Sequence, residues 1–133
     1  MNEVSHLTPT CKILVVDDNV DAADSLVELL AVCGFEACAI YEGSEAVLLA
    51  EALRPSLVLM DIDMPGMDGF DAAACMLRGA SGDTPPRLVA LTGRGSERDR
   101  SLSTSAGFDL HVCKPIGCEQ LCELAEAAYR SGS

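Results

Sequence analysis

The sequence predicts an α/β fold: a doubly wound (βα)5 domain with a parallel five-stranded sheet. Three observations carry that prediction. Short runs that are apolar at every position recur along the chain, at Ile13-Leu14-Val15-Val16, Leu57-Val58-Leu59-Met60 and Leu88-Val89-Ala90-Leu91. Such runs read as strands buried on both faces. Longer segments between them repeat their apolar residues at helical spacing. Regular alternation of the two types implies parallel pairing, right-handed crossovers and helices on both faces of one sheet.

Residues 1–10 are polar, contain Pro9 and show no period, so they read as a flexible N-terminal tail. The domain proper spans 11–129, and 130–133 form a short C-terminal tail. After the first strand, Asp21, Asp24, Ser25 and Glu28 form a polar stripe. Ala23, Leu26, Leu30 and Cys33 lie largely opposite it, and Gly34 supplies the stop. Phe35 to Ile40 is a weaker strand, suited to a sheet edge. Ser44 is placed to cap a second helix with Ala46, Leu49, Ala50 and Leu53 inward, and Pro55 ends it. Leu57–Met60 is the third strand. The loop 61–69 is dense in turn formers, and the next helix sets Phe70, Ala73, Ala74 and Leu77 on one side. Residues 79–87 form a loop before the strand Leu88–Leu91. Within 96–106 Leu102 is almost the only large apolar residue, so a helix there would be weakly anchored and mobile. Asp109–Cys113 is the last strand, and a final helix from about Cys118 to Tyr129 turns Leu121, Leu124, Ala125 and Ala128 inward.

Composition narrows the function. At 133 residues there is room for one core, and 49% hydrophobic residues argue against disorder. A formal charge of −12 disfavours direct contact with nucleic acid or an anionic membrane, which require basic patches. No stretch has the length to span a bilayer, and the N-terminus lacks a signal pattern, so the expected location is cytoplasmic. Seven cysteines form no CxxC pair, which predicts reduced, buried thiols rather than a disulfide framework or zinc site. Cys118 and Cys122 share a helical face, but two thiolates alone make a poor metal site.

The chemistry is concentrated where strands end. The first run meets Asp17-Asp18, the third strand meets Asp61, the fourth meets Thr92, and Leu110-His111-Val112-Cys113 meets Lys114. In a parallel sheet these ends share the carboxyl edge, where open α/β folds place their ligands. Three carboxylates together are unfavourable without a cation, and a hard oxygen set suits Mg²⁺ with waters and phosphate oxygens. Lys114 supplies a mobile positive charge and Thr92 one hydrogen bond, both suited to a phosphoryl oxygen. An aspartate beside a bound cation is a competent nucleophile for phosphoryl transfer, with catalysis coming from positioning and charge neutralisation.

The stretches ILVVDDN (13–19), LMDIDMPGMDG (59–69), ALTG (90–93) and CKP (113–115) resemble the receiver domain of bacterial two-component response regulators. The resemblance runs from Cys11 to about Tyr129. It implies strand order 2-1-3-4-5, the flavodoxin-like receiver fold, and a phosphoacceptor signalling domain that catalyses only its own phosphorylation and dephosphorylation. By position, Asp61 is the phosphoacceptor. Asp18 ligates Mg²⁺ directly, Asp17 acts through water and charge, and the Asp63 backbone carbonyl completes the protein ligands. Thr92 and Lys114 hold phosphoryl oxygens, and the Lys114–Pro115 bond is expected to be cis. The implied donor is a phosphohistidine on a sensor histidine kinase or histidine phosphotransfer protein. The implied recipient of the message is a separate output protein or a domain of a parent chain. Met1 and the short Ser131-Gly132-Ser133 tail favour a free-standing regulator over a receiver segment of a hybrid histidine kinase.

This chain also departs from the family pattern. His111 stands at the switch position, three residues before Lys114, where the family often has Tyr or Phe. Asp63 and Arg94 flank the site and are placed to pair across its mouth. Gly93 replaces a common Ala and leaves more room there. Two other classes fit less well. A haloacid-dehalogenase-type phosphohydrolase would share the Asp61-Ile62-Asp63 motif, but Pro65 takes the place of its hydroxyl residue and the motif comes midway in the chain. A flavodoxin-like cofactor binder would need a first loop that is not acidic.

Overall fold

The computed structural model describes residues 12–62, 69–79, 86–93 and 107–132. Five strands, β1 (Ile13–Val16), β2 (Ala37–Ile40), β3 (Leu57–Asp61), β4 (Arg87–Thr92) and β5 (Leu110–Cys113), form one sheet. Every pairing is parallel and the order is β2-β1-β3-β4-β5, as expected. Among the described residues there are four helices: α1 (Val20–Val32), α2 (Gly43–Leu53), α3 (Gly69–Gly79) and α4 (Cys118–Gly132).

The side-chain period of two divides the core between the two faces of the sheet. Ile13, Val15, Leu57, Leu59, Val89 and Leu91 pack with Ala23 and Leu30 of α1 and with Leu121, Leu124, Ala125 and Ala128 of α4. Leu14, Val16, Val58, Met60, Leu88 and Ala90 face the other way, against Ala46 and Ala50 of α2 and Ala72, Ala73 and Met76 of α3. Both faces are therefore covered, which explains why β1, β3 and β4 are apolar in continuous runs. The edge strands differ: β2 is half-buried along most of its length, and β5 exposes Leu110 and Cys113.

Local signals set most boundaries. Asn19 caps α1 by accepting a hydrogen bond from the Ala22 amide at 3.1 Å, and Gly34 leaves the helix at φ +96°, a conformation that favours glycine. The α2 boundary corrects the expected cap. Its N-cap is Glu42, and Ser44 lies inside the first turn with its hydroxyl 3.4 Å from the Glu42 carboxylate. Arg54 closes α2 in the left-handed conformation at φ 49°, directly before Pro55, where a right-handed residue would collide with the proline ring. On α3, among the side chains whose burial is described, Ala72, Ala73 and Met76 are buried, so Ala73 faces inward as expected while Ala74 is exposed; Phe70 and Leu77 lie outside the described side chains. Among the described side chains of α3, Met76 is the large apolar one in the core. The last helix continues to Gly132, beyond the expected end at Tyr129. The N-terminal tail and the 96–106 segment lie outside the described residues.

The cysteine expectation is overturned. Cys33 and Cys122 form a disulfide across 89 residues of sequence, and Cys38 is disulfide-bonded as well. Cys75, Cys113 and Cys118 take no part in a disulfide. Linear spacing could not reveal the first pair, because only the packing of α1 beside α4 brings its two cysteines together.

Candidate functional site

The register of the sheet sets the site. Val16 pairs with Met60, Asp61 with Leu91, and Thr92 with Cys113, so Asp17, Asp61, Thr92 and Lys114 follow one another along the carboxyl edge. Backbone hydrogen bonds hold these turns in place. The Asp17 amide donates to the Ile40 carbonyl at 2.9 Å, that of Ile62 to Leu91 at 3.1 Å, and that of Lys114 to Thr92 at 2.8 Å. The Lys114–Pro115 peptide bond is cis.

Asp17, Asp61 and Thr92 are the buried polar side chains among the described residues, at 1%, 6% and 0% exposure. Burying carboxylates is costly unless they are paired, so this grouping calls for a charge partner. Lys114 supplies one. Its Nζ donates to Asp17 Oδ2 at 2.9 Å and to Asp61 Oδ2 at 3.1 Å. The other oxygen of Asp17 accepts the Asn19 amide at 3.0 Å. Burial works against the charged amine of Lys114. The hydrogen bonds and charges of Asp17 and Asp61 outweigh it and raise its pKa above the ordinary lysine value.

Asp18 is exposed, yet one carboxylate oxygen from each of Asp17, Asp18 and Asp61 lies within 4.8 Å of the others. At an effective dielectric of ~20, each like-charge pair at such a distance costs on the order of 3 kcal/mol. A single ammonium leaves this set two charges short of neutrality. Three hard oxygen donors, one open to solvent, match a divalent cation that keeps part of its water shell.

The structure thus brings together five residues singled out in the sequence: Asp17, Asp18, Asp61, Thr92 and Lys114. Asp63 and Arg94 lie outside the described residues. His111 is half-buried on β5, in register with Ala90 of β4. Gly93 is exposed at the edge, and a Cβ placed there would meet nothing within 4 Å, so an alanine would also fit. Sequence reasoning overlooked Asn19, which caps α1 with its side chain while its amide holds Asp17. The preference of asparagine for N-cap positions was the available signal.

Comparison with known proteins agrees with this geometry. Residues 13–126 match the family model described as response regulator receiver domain. The DNA-binding response regulator MtrA of Mycolicibacterium smegmatis is 36% identical over 119 residues, covering 90% of this chain and 50% of that protein. The transcriptional regulatory protein PrrA of Mycobacterium tuberculosis is 34% identical with the same coverage. The chain therefore spans about half the length of these curated relatives. Among solved structures, a CheY-like response regulator receiver domain protein from Methanospirillum hungatei superposes with a TM-score of 0.78 at 25% identity, covering 92% of this chain and 96% of that one. The receiver domain of the Francisella response regulator 1452 reaches a TM-score of 0.81 over 93% of this chain and 100% of that one, at 19% identity.

Proposed function

Because the chain belongs to the family of response regulator receiver domains, we propose that Asp61 accepts a phosphoryl group from a phosphohistidine donor in a Mg²⁺-dependent reaction. A partner-binding surface then changes. The observation that supports this most is the ammonium of Lys114, shared between Asp17 and Asp61 beside the buried Thr92.

Residues of this chain divide the work. Asp61 attacks the phosphorus atom while the bond from phosphorus to the donor imidazole breaks, and the imidazole departs with the electron pair. Lys114 leaves the Asp61 carboxylate and pairs with a phosphoryl oxygen, keeping its contact with Asp17. Thr92 donates its hydroxyl to a second phosphoryl oxygen. Asp17, Asp18, Asp61 and the Asp63 carbonyl would hold the Mg²⁺ ion, which when bound neutralises charge on the transferring group.

The switch is a shift between two states, biased by the new contacts of Thr92 and Lys114. His111 follows the movement of Thr92 by swinging inward, and Asp63, Gly93 and Arg94 modulate how long the phosphoryl group lasts. Arg94→Ala is expected to change the hydrolysis rate. One His111 rotamer in both the free and the phosphoryl-mimic states would remove that residue from the mechanism.

The donor is a sensor histidine kinase or a histidine phosphotransfer protein in the cytoplasm, and the output passes to a separate protein or to another domain of a parent chain. The net charge of −12 argues against nucleic-acid contact by these residues alone. The relative named as DNA-binding is about twice as long as this chain.

Intact mass spectrometry after incubation with Mg²⁺ and a small acyl phosphate tests the reading. One acid-labile phosphoryl group is expected on the wild type and none on Asp61→Asn. Labelling that persists in the variant would mean that another residue is the nucleophile.

A further inference from the structure

A second cluster of reactive side chains lies outside the strand-end site. Cys33 is the C-cap of α1, while Cys118 opens α4 and Cys122 follows one helical turn later. Their three sulfur atoms lie within 4.8 Å of one another. Cys33 and Cys122 are bonded with their Cα atoms 6.1 Å apart, a separation that a disulfide bridges without moving the backbone. Cys118 is an exposed free thiol whose Sγ lies 3.9 Å from that of Cys33. A free thiol held beside one sulfur of a disulfide is the arrangement from which exchange begins.

We propose that Cys33, Cys118 and Cys122 form a thiol–disulfide exchange site that ties α1 to α4 and reacts with low-molecular-weight thiols and disulfides of the glutathione class. In the internal step, the Cys118 thiolate attacks Cys33 Sγ. A Cys33–Cys118 bond forms and the Cys33–Cys122 bond breaks. The electron pair leaves on Cys122 Sγ, which takes up the proton that Cys118 released, so there is no net oxidation. In the external step, one thiol opens the protein disulfide to a mixed disulfide and a second displaces it. Two thiols are oxidised to one small disulfide, and two protein thiols are regained. The reverse sequence, with the small disulfide as oxidant, closes the link again.

Cys33 is the shared partner of both linkages, because its sulfur is bonded to one α4 cysteine and adjacent to the other. Cys118, being exposed, offers the solvent-facing sulfur. The competing use of three clustered sulfurs is as a soft-metal site, since thiolates bind zinc well when reduced.

The test equilibrates the whole chain in glutathione buffers from oxidised to reduced, traps thiols with N-ethylmaleimide and maps the peptides by mass spectrometry. Cys33 and Cys122 should become alkylated together as the buffer turns reducing. Oxidised wild type should yield peptides linked 33–122 together with some linked 33–118. Cys122→Ser should shift the link entirely to 33–118, and Cys118→Ser should leave only 33–122. Circular dichroism checks that the variants fold, and the wild-type titration needs no variant. Alkylation of Cys33 and Cys122 that ignores the glutathione ratio would overturn the proposal. So would the absence of a 33–118 link in folded Cys122→Ser, or one equivalent of zinc on the three reduced sulfurs of the purified protein. None of these readouts depends on Asp61.

Discussion

Lys114 Nζ sits 2.9 Å from Asp17 Oδ2, although 97 residues of sequence separate the two. The same nitrogen reaches Asp61 Oδ2 at 3.1 Å. The ammonium thus occupies the position between two buried carboxylates that an incoming cation or phosphoryl group would contest. Because Lys114 is about one-third exposed, its ammonium can swing from Asp61 toward an incoming phosphoryl oxygen while it keeps its contact with Asp17.

Removal of that ammonium is expected to have opposite effects on chemistry and on metal affinity. Lys114→Ala should slow phosphoryl uptake by about 10²-fold, the typical loss for one preorganised charge at a transition state. Its unfolding free energy without Mg²⁺ should fall by about 1 kcal/mol, a figure reduced for the solvent around the lysine. Mg²⁺ should bind the variant more tightly, because its competitor for the carboxylates is gone. Thermal shift against Mg²⁺ concentration measures this, and weaker binding would mean that lysine does not compete with the metal.

Asp61→Asn should be more stable than the wild type in metal-free buffer, by about 1 kcal/mol. The amide relieves two carboxylate repulsions and still offers Lys114 an acceptor oxygen. Urea unfolding with a chelator present reads the difference. With Mg²⁺ added, the order should narrow or reverse, since the variant has lost one charged ligand. A less stable variant in chelator would show that the wild-type carboxylates are already well compensated.

Tyr41 provides a separate electrostatic prediction. Its hydroxyl donates to Asp24 Oδ1 at 2.7 Å, and that hydrogen bond leads the causes that raise its pKa above 10.0. The folded chain therefore holds the phenol proton more tightly than the unfolded chain does. This contribution to stability is complete below about pH 10 and is lost as pH rises through the elevated value. With no Trp and two Tyr in the chain, tyrosinate absorbance minus that of Tyr41→Phe isolates this group. Asp24→Asn should bring its titration back toward 10.0, and an unchanged midpoint would remove Asp24 as the cause.

What could be read in advance follows a physical division. The strands β1, β3 and β4 were legible because burial on both faces leaves an unbroken apolar run, and α1 and α4 because one-sided burial leaves a helical period. The strand-end set Asp17, Asp18, Asp61, Thr92 and Lys114 followed from those strands, since parallel pairing alone brings the ends together. The start of α2 was misplaced because two candidate caps, Glu42 and Ser44, lie two residues apart and propensity favours the wrong one. On α3 the exposure of Ala74 and the burial of Ala72 and Met76 were missed because an alanine-rich segment carries little periodic signal. The sulfur cluster was invisible for a different reason: the packing of α1 beside α4 on one face of the sheet leaves no mark in local spacing.

That cluster makes a stability prediction that discriminates between its members. A cross-link spanning 89 residues contributes typically 2–4 kcal/mol, chiefly by restricting the unfolded chain. Under oxidising conditions Cys33→Ser, which removes the shared sulfur, should lose that amount and melt roughly 10 °C lower. Cys122→Ser should lose much less, because Cys118 can take over the bond to Cys33 and close a loop of nearly the same length. Full reduction should bring the wild type and Cys122→Ser close to Cys33→Ser, which can form neither link between α1 and α4. Differential scanning calorimetry with and without reductant supplies the comparison. Equal losses for Cys33→Ser and Cys122→Ser in oxidising buffer would show that Cys118 does not substitute for Cys122, leaving one fixed disulfide in place of an exchanging pair.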